Sequence, residues 1–175
     1  RVSKLNKGQA IYYFLSGYTS TSTGVEAGVV EPKAEFSSCF AQPFLLLKPT
    51  RYAEILRQRL KNSNANIYMI NVGWIDGNYK TGRRVPTEET KSVVKYLIDK
   101  PDNVKLNFKR QKYFNFKSLT SVEDNDEVFY LKNTWDSKSS YNKKYKSLVK
   151  SFVKNYEQFK NDDFADKYNK FGPSL

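Results

Sequence analysis

The chain has 175 residues, of which 39% are hydrophobic and 15% aromatic, a composition that favours one globular domain over a disordered segment. No apolar run approaches the roughly 20 residues needed to cross a bilayer, and the stretch Ala10 to Leu15 is too short for a signal peptide. A net charge of +12 points to anionic partners: nucleotide and carboxylate substrates, nucleic acid or an acidic membrane surface.

The single Cys39 rules out an internal disulfide, fits a reducing compartment and reads as a small buried apolar residue. With no histidine, no His metal ligand is available. Much of the positive charge is lysine spread along the chain, which reads as compositional, because planar recognition of phosphate calls for arginine.

In chain order, Asn6 is placed to cap a helix with Ala10, Ile11, Phe14 and Leu15 on one face, and Gly17 to end it in a left-handed turn. From Thr19 to Glu35 there is no amphipathic period, only glycines (Gly24, Gly28) among threonines and serines. Such a segment is either a mobile flap or an ordinary surface loop. The apolar block Phe44 to Leu47 reads as the packed element on which a flap would hinge.

After Pro49, Thr50 is a good N-cap for a helix to about Leu60, with Tyr52, Ile55, Leu56 and Leu60 as its inner stripe and Asn62 to Asn66 as its break. Ile67 to Val72 reads as a strand covered on both faces, closed by Gly73-Trp74 and followed by an Asp76-Gly77 turn. Thr87 is placed to cap the next helix, with Glu88 and Glu89 against its positive end and Val93, Val94, Leu97 and Ile98 buried. Lys100-Pro101 ends it. Residues 104–119 read as one or two strands, 120–127 as an acidic loop and Val128 to Leu131 as a short strand. A long final helix carries Tyr141, Tyr145, Leu148, Val149, Phe152, Val153, Tyr156 and Phe159 at helical spacing, with lysines opposite. There is no internal repeat and no clear domain boundary.

Two segments could carry a ligand. Gly82 to Lys91, GRRVPTEETK, follows a strand and a glycine turn and opens a helix, where α/β proteins place ligand groups beside a positive helix terminus. There a guanidinium can lie flat on a purine ring and a hydroxyl can read one of its edges. The bland alternative is a basic loop before an ordinary helix. The second segment is Lys105 to Lys117, KLNFKRQKYFNFK, whose cations interleave with Phe108, Tyr113, Phe114 and Phe116. Such a strip can grip single-stranded nucleic acid, or be a half-buried strand with a lysine-rich outer face.

Several runs resemble the ATP-dependent phosphoenolpyruvate carboxykinases: FLSGYTS at Phe14 to Ser20, GVEAGVVEP at Gly24 to Pro32 and FSSCFAQPFLLLKPTRYAE at Phe36 to Glu54. NVGW at Asn71 to Trp74, GRRVPTEETK, LKNTWDSKSSYNKK at Leu131 to Lys144 and FGPSL at Phe171 to Leu175 extend the resemblance. It implies an α/β fold, a mixed sheet with flanking helices belonging to the carboxyl-terminal nucleotide-binding lobe of that fold. Residues 1–175 would then be a single fragment of the lobe: RVSKL at Arg1 to Leu5 resembles an internal PPVSKL, and no G-x-x-x-x-G-K-S/T phosphate loop is present.

By the same resemblance Arg84, Val85 and Thr90 match the family's adenine-contacting Arg, Ile and Thr, with Arg83 in place of a Lys and Pro86 in place of a Ser. Gly24, Glu26, Gly28 and Glu31 fall in its active-site lid, with Val25 where the family has Thr. The reaction implied is oxaloacetate and ATP to phosphoenolpyruvate, CO2 and ADP, in the cytoplasm. The ligands for Mg2+ and Mn2+ and the catalytic residues would lie in an amino-terminal part of the same polypeptide. Neither nucleic acid nor membrane is then an expected partner, and the isolated fragment is expected to be inactive. The rival readings are a stand-alone basic module binding single-stranded nucleic acid through Lys105 to Lys117, and a split enzyme assembled with a separate amino-terminal half.

Overall fold

The computed structural model describes residues 1–20, 34–100, 104–122 and 132–175. In chain order the elements are β1 (Val2–Leu5), α1 (Lys7–Ser16), β2 (Tyr18–Ser20), β3 (Ala34–Phe36), α2 (Pro49–Lys61), β4 (Ile67–Ile70), β5 (Trp74–Ile75), β6 (Arg83–Arg84), α3 (Thr87–Asp99), β7 (Leu106–Arg110), β8 (Lys117–Val122) and α4 (Lys138–Tyr156). Short 3₁₀ turns cover Gln42–Phe44, Glu157–Phe159 and Asp166–Phe171. The fold is α/β, with a sheet and flanking helices, and its contacts fall into two compact units.

The first unit comprises Arg1–Lys4, Tyr68–Gln111 and Lys117–Lys144. Its sheet runs β4-β1-β8-β7. The β1–β8 pair is antiparallel, with Ser3 opposite Ser118 and their hydroxyls 3.0 Å apart. The β7–β8 pair is also antiparallel and shifts register between Asn107 and Phe108. Two side chains bond across that irregularity, Asn107 Nδ2 donating to Ser121 Oγ at 3.0 Å and Thr120 Oγ1 to the Asn107 carbonyl at 3.1 Å, which supplies partners where the ladder is interrupted.

The second unit comprises Leu5–Ile67, Lys112–Phe116 and Tyr145–Leu175. Its centre is α1, where Asn6 Oδ1 accepts the Gln9 N–H and Gln9 returns a bond to the Asn6 N–H, a complete capping box. Gly17 ends the helix at φ 54°, ψ 32°. The expected single face is too narrow: Gln9, Ala10, Ile11, Tyr12, Tyr13, Leu15 and Ser16 are all buried, whereas Phe14 is only half-buried. A helix apolar on most of its circumference is an interior one.

Around it, Tyr12 stacks on Tyr156 at 4.2 Å, and Tyr13 meets Phe116 and Phe152 edge-on at 5.5 and 5.6 Å. The buried hydroxyls find carbonyls, Tyr13 donating to Phe114 at 3.1 Å and Tyr156 to Ala165 at 3.0 Å. Burial pushes the phenol pKa values of Tyr12, Tyr13 and Tyr156 up, so all three stay neutral donors.

Several expectations are corrected. Helix α2 starts two residues earlier than expected, with Lys48 as N-cap and Pro49 at its first position, where a missing N–H costs nothing. Its one buried residue is Ala53; Ile55 is 41% exposed, and Tyr52 uses its hydroxyl to accept the N–H groups of Leu46 and Leu47. The block Phe44 to Leu47 is not packed, since Phe44 and Leu46 are 86% and 97% exposed. Strand β4 is half-buried throughout and Val72 is exposed, so the run from Ile67 is not covered on both faces. Helix α3 has Pro86 rather than Thr87 as N-cap and buries none of its residues, Val94 and Ile98 lying exposed. In α4 the buried positions are Val149, Phe152 and Tyr156, while Val153 is exposed.

Residues 104–119 do form two strands, β7 and the start of β8. Cys39 is fully buried as a free thiol. The strand expected at Val128 to Leu131 lies outside the described residues, as does the acidic run beyond Val122.

Two substitutions test the helix that centres the second unit. Asn6→Ala should lower stability by about 1 kcal/mol through the lost cap. Gly17→Ala should cost about 1 kcal/mol or more, because a Cβ there meets Ser37 as well as an unfavourable φ. Urea unfolding midpoints that fall with an unchanged slope are the expected result.

Candidate functional site

The segment expected to hold a ligand is built from short-range constraints in the first unit. Asn71 brackets the entry to β5, its Oδ1 accepting the Gly73 N–H at 2.9 Å and its Nδ2 donating to the Trp74 carbonyl at 3.1 Å. Strands β5 and β6 pair antiparallel, Trp74 opposite Arg84 and Ile75 opposite Arg83. The connection between them turns through Asp76 at φ 64° and is drawn tight by Asn78, whose carbonyl accepts the Thr81 and Gly82 N–H groups at 3.1 and 2.6 Å. At Gly82 any Cβ would run into the Ile75 carbonyl, so the close approach of the two strands requires glycine there.

Beyond β6 the ladder continues for one more bond, the Val85 N–H donating to the Gly73 carbonyl at 2.8 Å. Pro86, extended at φ −63° and ψ 147°, then turns the chain into α3. Its carbonyl accepts both the Thr90 N–H at 3.1 Å and, weakly, the Thr90 hydroxyl at 3.4 Å. The junction therefore carries Arg84 exposed on a strand, Val85 buried beneath it and Thr90 half-buried in the first helical turn.

The two adjacent arginines have different environments. Arg83 donates through Nε to Asp76 Oδ2 at 2.9 Å, and through both terminal nitrogens to the Glu89 carboxylate at 2.8 and 3.2 Å. Arg1, whose side chain is 6% exposed, also bonds Glu89. The hydrogen bond from Arg83 holds the Glu89 carboxyl below the usual range, with Arg1 adding to the effect. The same carboxylate, with Asp76, raises the Arg83 pKa further above its ordinary value. Arg83 thus ties the β5–β6 turn to the first turn of α3, and Arg84, exposed like Arg83, follows it on β6.

Sequence reasoning placed Arg84, Val85 and Thr90 at one strand-to-helix junction, and the structure puts them there. It missed Asp76 and Glu89 as partners of Arg83, reading one as a turn residue and the other as a dipole complement. The partners lie seven residues before and six residues after Arg83, across the ends of two short strands, where no single helical or strand period connects them. Gly24, Glu26, Gly28 and Glu31 lie outside the described residues; the flanks of their segment, β2 and β3, pair antiparallel with Tyr18 opposite Phe36.

The Lys105 to Lys117 strip is not a single surface. It is split into β7, a turn through Asn115 at φ 61° and the first residue of β8, and Phe114 and Phe116 are buried at 3% and 9% exposure. Phe114 packs against Phe116, Tyr145 and Phe152, so its faces are not available to bases. Among the described residues no group of three or more His, Cys, Asp or Glu side chains could hold a metal ion.

A strand pair that presents an arginine beside a helix amino terminus is an arrangement by which α/β proteins hold anionic or planar ligands. Residues 1–128 match the family model described as phosphoenolpyruvate carboxykinase, and the chain belongs to the ATP-dependent phosphoenolpyruvate carboxykinase family. It is 38% identical to phosphoenolpyruvate carboxykinase (ATP) of Alkaliphilus oremlandii over 99% of this chain and 33% of that protein. It is 37% identical to the enzyme of the same name from Campylobacter jejuni subsp. jejuni over 99% of this chain and 33% of the other. A third relative of that name, from Leptospira biflexa, is 37% identical over 98% of this chain and 32% of its own length. The chain therefore spans about a third of the length of the curated relatives it matches.

Arg83→Gln should release Glu89 so that its pKa, followed by side-chain carboxyl NMR, rises toward the ordinary 4.5. Because the folded value is depressed, the stabilisation from this pair is present above the unfolded pKa and lost as pH falls through the folded one. Acid unfolding of Arg83→Gln should accordingly depend less on pH below about 4.5 than that of the parent.

Proposed function

We propose that this chain is the carboxyl-terminal part of the nucleotide-binding lobe of an ATP-dependent phosphoenolpyruvate carboxykinase, and that the intact protein converts oxaloacetate and ATP to phosphoenolpyruvate, CO2 and ADP. The observation that carries this reading is the family match over residues 1–128, which runs through the β6–α3 junction. On this reading Arg84 lays its guanidinium along the purine face and the Thr90 hydroxyl turns from the Pro86 carbonyl to a ring nitrogen. Val85 acts from below: its side chain is buried and its N–H is spent on Gly73, so it sets the height at which Arg84 emerges.

Gly24, Glu26, Gly28 and Glu31 are assigned to a lid on the family resemblance alone. Such a cover has a chemical purpose here, because an enolate left by decarboxylation is protonated by water and must be kept dry until phosphorylated. The ligands for Mg2+ and Mn2+, the phosphate-gripping loop and the catalytic residues belong to the part of the longer protein that this chain does not include. The working compartment is the cytoplasm, which suits a protein with one buried free thiol. The nucleic-acid reading has no support, since two of its four aromatics, Phe114 and Phe116, are core residues.

The remainder of the polypeptide is the expected partner of the exposed apolar run Phe44, Leu46 and Leu47 in the second unit. Leu46→Asp should destabilise the intact protein, yet make the 175-residue chain alone more soluble.

Arg84→Ala in the intact protein should raise the KM for ATP about tenfold, and Thr90→Val about threefold, with kcat changed less than KM. An unaltered KM for ATP in Arg84→Ala would sink the adenine assignment. The 175-residue chain alone should form no ADP from ATP and oxaloacetate.

A further inference from the structure

A cavity of about 420 Å³ opens in the second unit between the first turn of α1, the last two turns of α2 and the 3₁₀ turn at Asp166–Phe171. Its walls carry five cationic side chains, Lys7, Arg57, Lys61, Lys167 and Lys170, and no acidic one. Half of its ten lining residues are thus cationic, against 30 of 175 in the whole chain, so the general lysine excess does not account for it. Like charges gathered in one concavity repel each other and focus a positive potential into it.

The local bonding leaves that potential uncompensated. Among the described residues none of the five makes an ion pair. Lys7 Nζ instead reaches the Lys61 carbonyl at 3.4 Å, Arg57 lies 6.0 Å over the Phe164 ring and Lys170 5.5 Å over the Phe171 ring. Lys7 and Gly8 are the first two residues of α1, so the positive end of a ten-residue helix lines the same space. The apolar part of the lining is Ile11, Leu60, Tyr168 and Phe171. A volume of this size matches small-molecule sites.

We propose that this cavity is a binding site for a small polyphosphate, free or attached to a nucleoside, separate from the Arg84 junction. The lysines supply point charges to the phosphates, and Tyr168 and Phe171 supply a surface for a ring when one is attached.

The test is lysine-acetylation footprinting of the intact protein by mass spectrometry, with tripolyphosphate and ADP as separate probes. Near saturation, the reactivity of Lys7, Lys61, Lys167 and Lys170 should drop about fivefold while Lys109 and Lys150 stay unchanged. Stronger protection by ADP assigns the nucleoside form, and equal protection assigns the phosphates alone. Lys167→Glu combined with Lys170→Glu, both exposed and so compatible with folding by circular dichroism, should abolish the protection of Lys7 and Lys61. Uniform protection, no protection, or protection that survives the double charge reversal overturns the proposal. So does a single-stranded oligonucleotide that protects lysines well beyond the cavity more strongly than either probe. Arg84→Ala serves as the control: it should leave the cavity footprint intact whatever becomes of ATP binding at the junction.

Discussion

The forked bond from Arg83 to Glu89, with Asp76 on its third nitrogen, is the constraint on which the candidate site depends. Strands β5 and β6 are two residues each, too short to hold a geometry by their ladder alone. Helix α3 buries none of its residues and so has little hydrophobic anchorage at its start. One guanidinium joins these weak pieces, taking a carboxylate from the turn and another from the helix. Exposed ion pairs contribute little singly, but a planar fork gripping two acids adds direction to the attraction. Its neighbour, Arg84, is then set at a fixed height by the buried Val85 and the extended Pro86.

This division of labour gives the two adjacent arginines different bonding roles. A lysine at position 83 could satisfy one carboxylate at a time; an arginine can span both. Pro86 offers no side-chain cap but fixes the φ with which the chain enters α3.

What could be read from the sequence divides along the range of the forces involved. The ends of α1 were legible because Asn6, Gln9 and Gly17 act within one turn of themselves. The β6–α3 junction was legible because a glycine turn, a basic pair and a helix start follow one another directly. The exposure of Phe44 and Leu46 was not, since apolar residues signal burial without saying against what. Nor could the pattern show that Phe114 and Phe116 leave the lysine strip to enter an aromatic cluster, because the turn at Asn115 depends on contacts from the distant Tyr145 and Phe152. The α1 stripe was underestimated for a related reason: tyrosines count as surface residues until enough carbonyls are at hand to take their hydroxyls.

Tyr12 illustrates a further consequence. A side chain at Gly172 would collide with its ring, and the neighbouring Phe171 lies so close to Gly8 that it too excludes a Cβ there. The aromatic interior of the second unit is thus closed by residues more than 150 positions downstream of the helix they cover. During synthesis α1 precedes Phe114, Phe116, Phe152 and Tyr156, so its two tyrosines lack these packing partners until the later elements are made. For that interval the nascent chain displays a greasy surface, which makes it a natural client for chaperones.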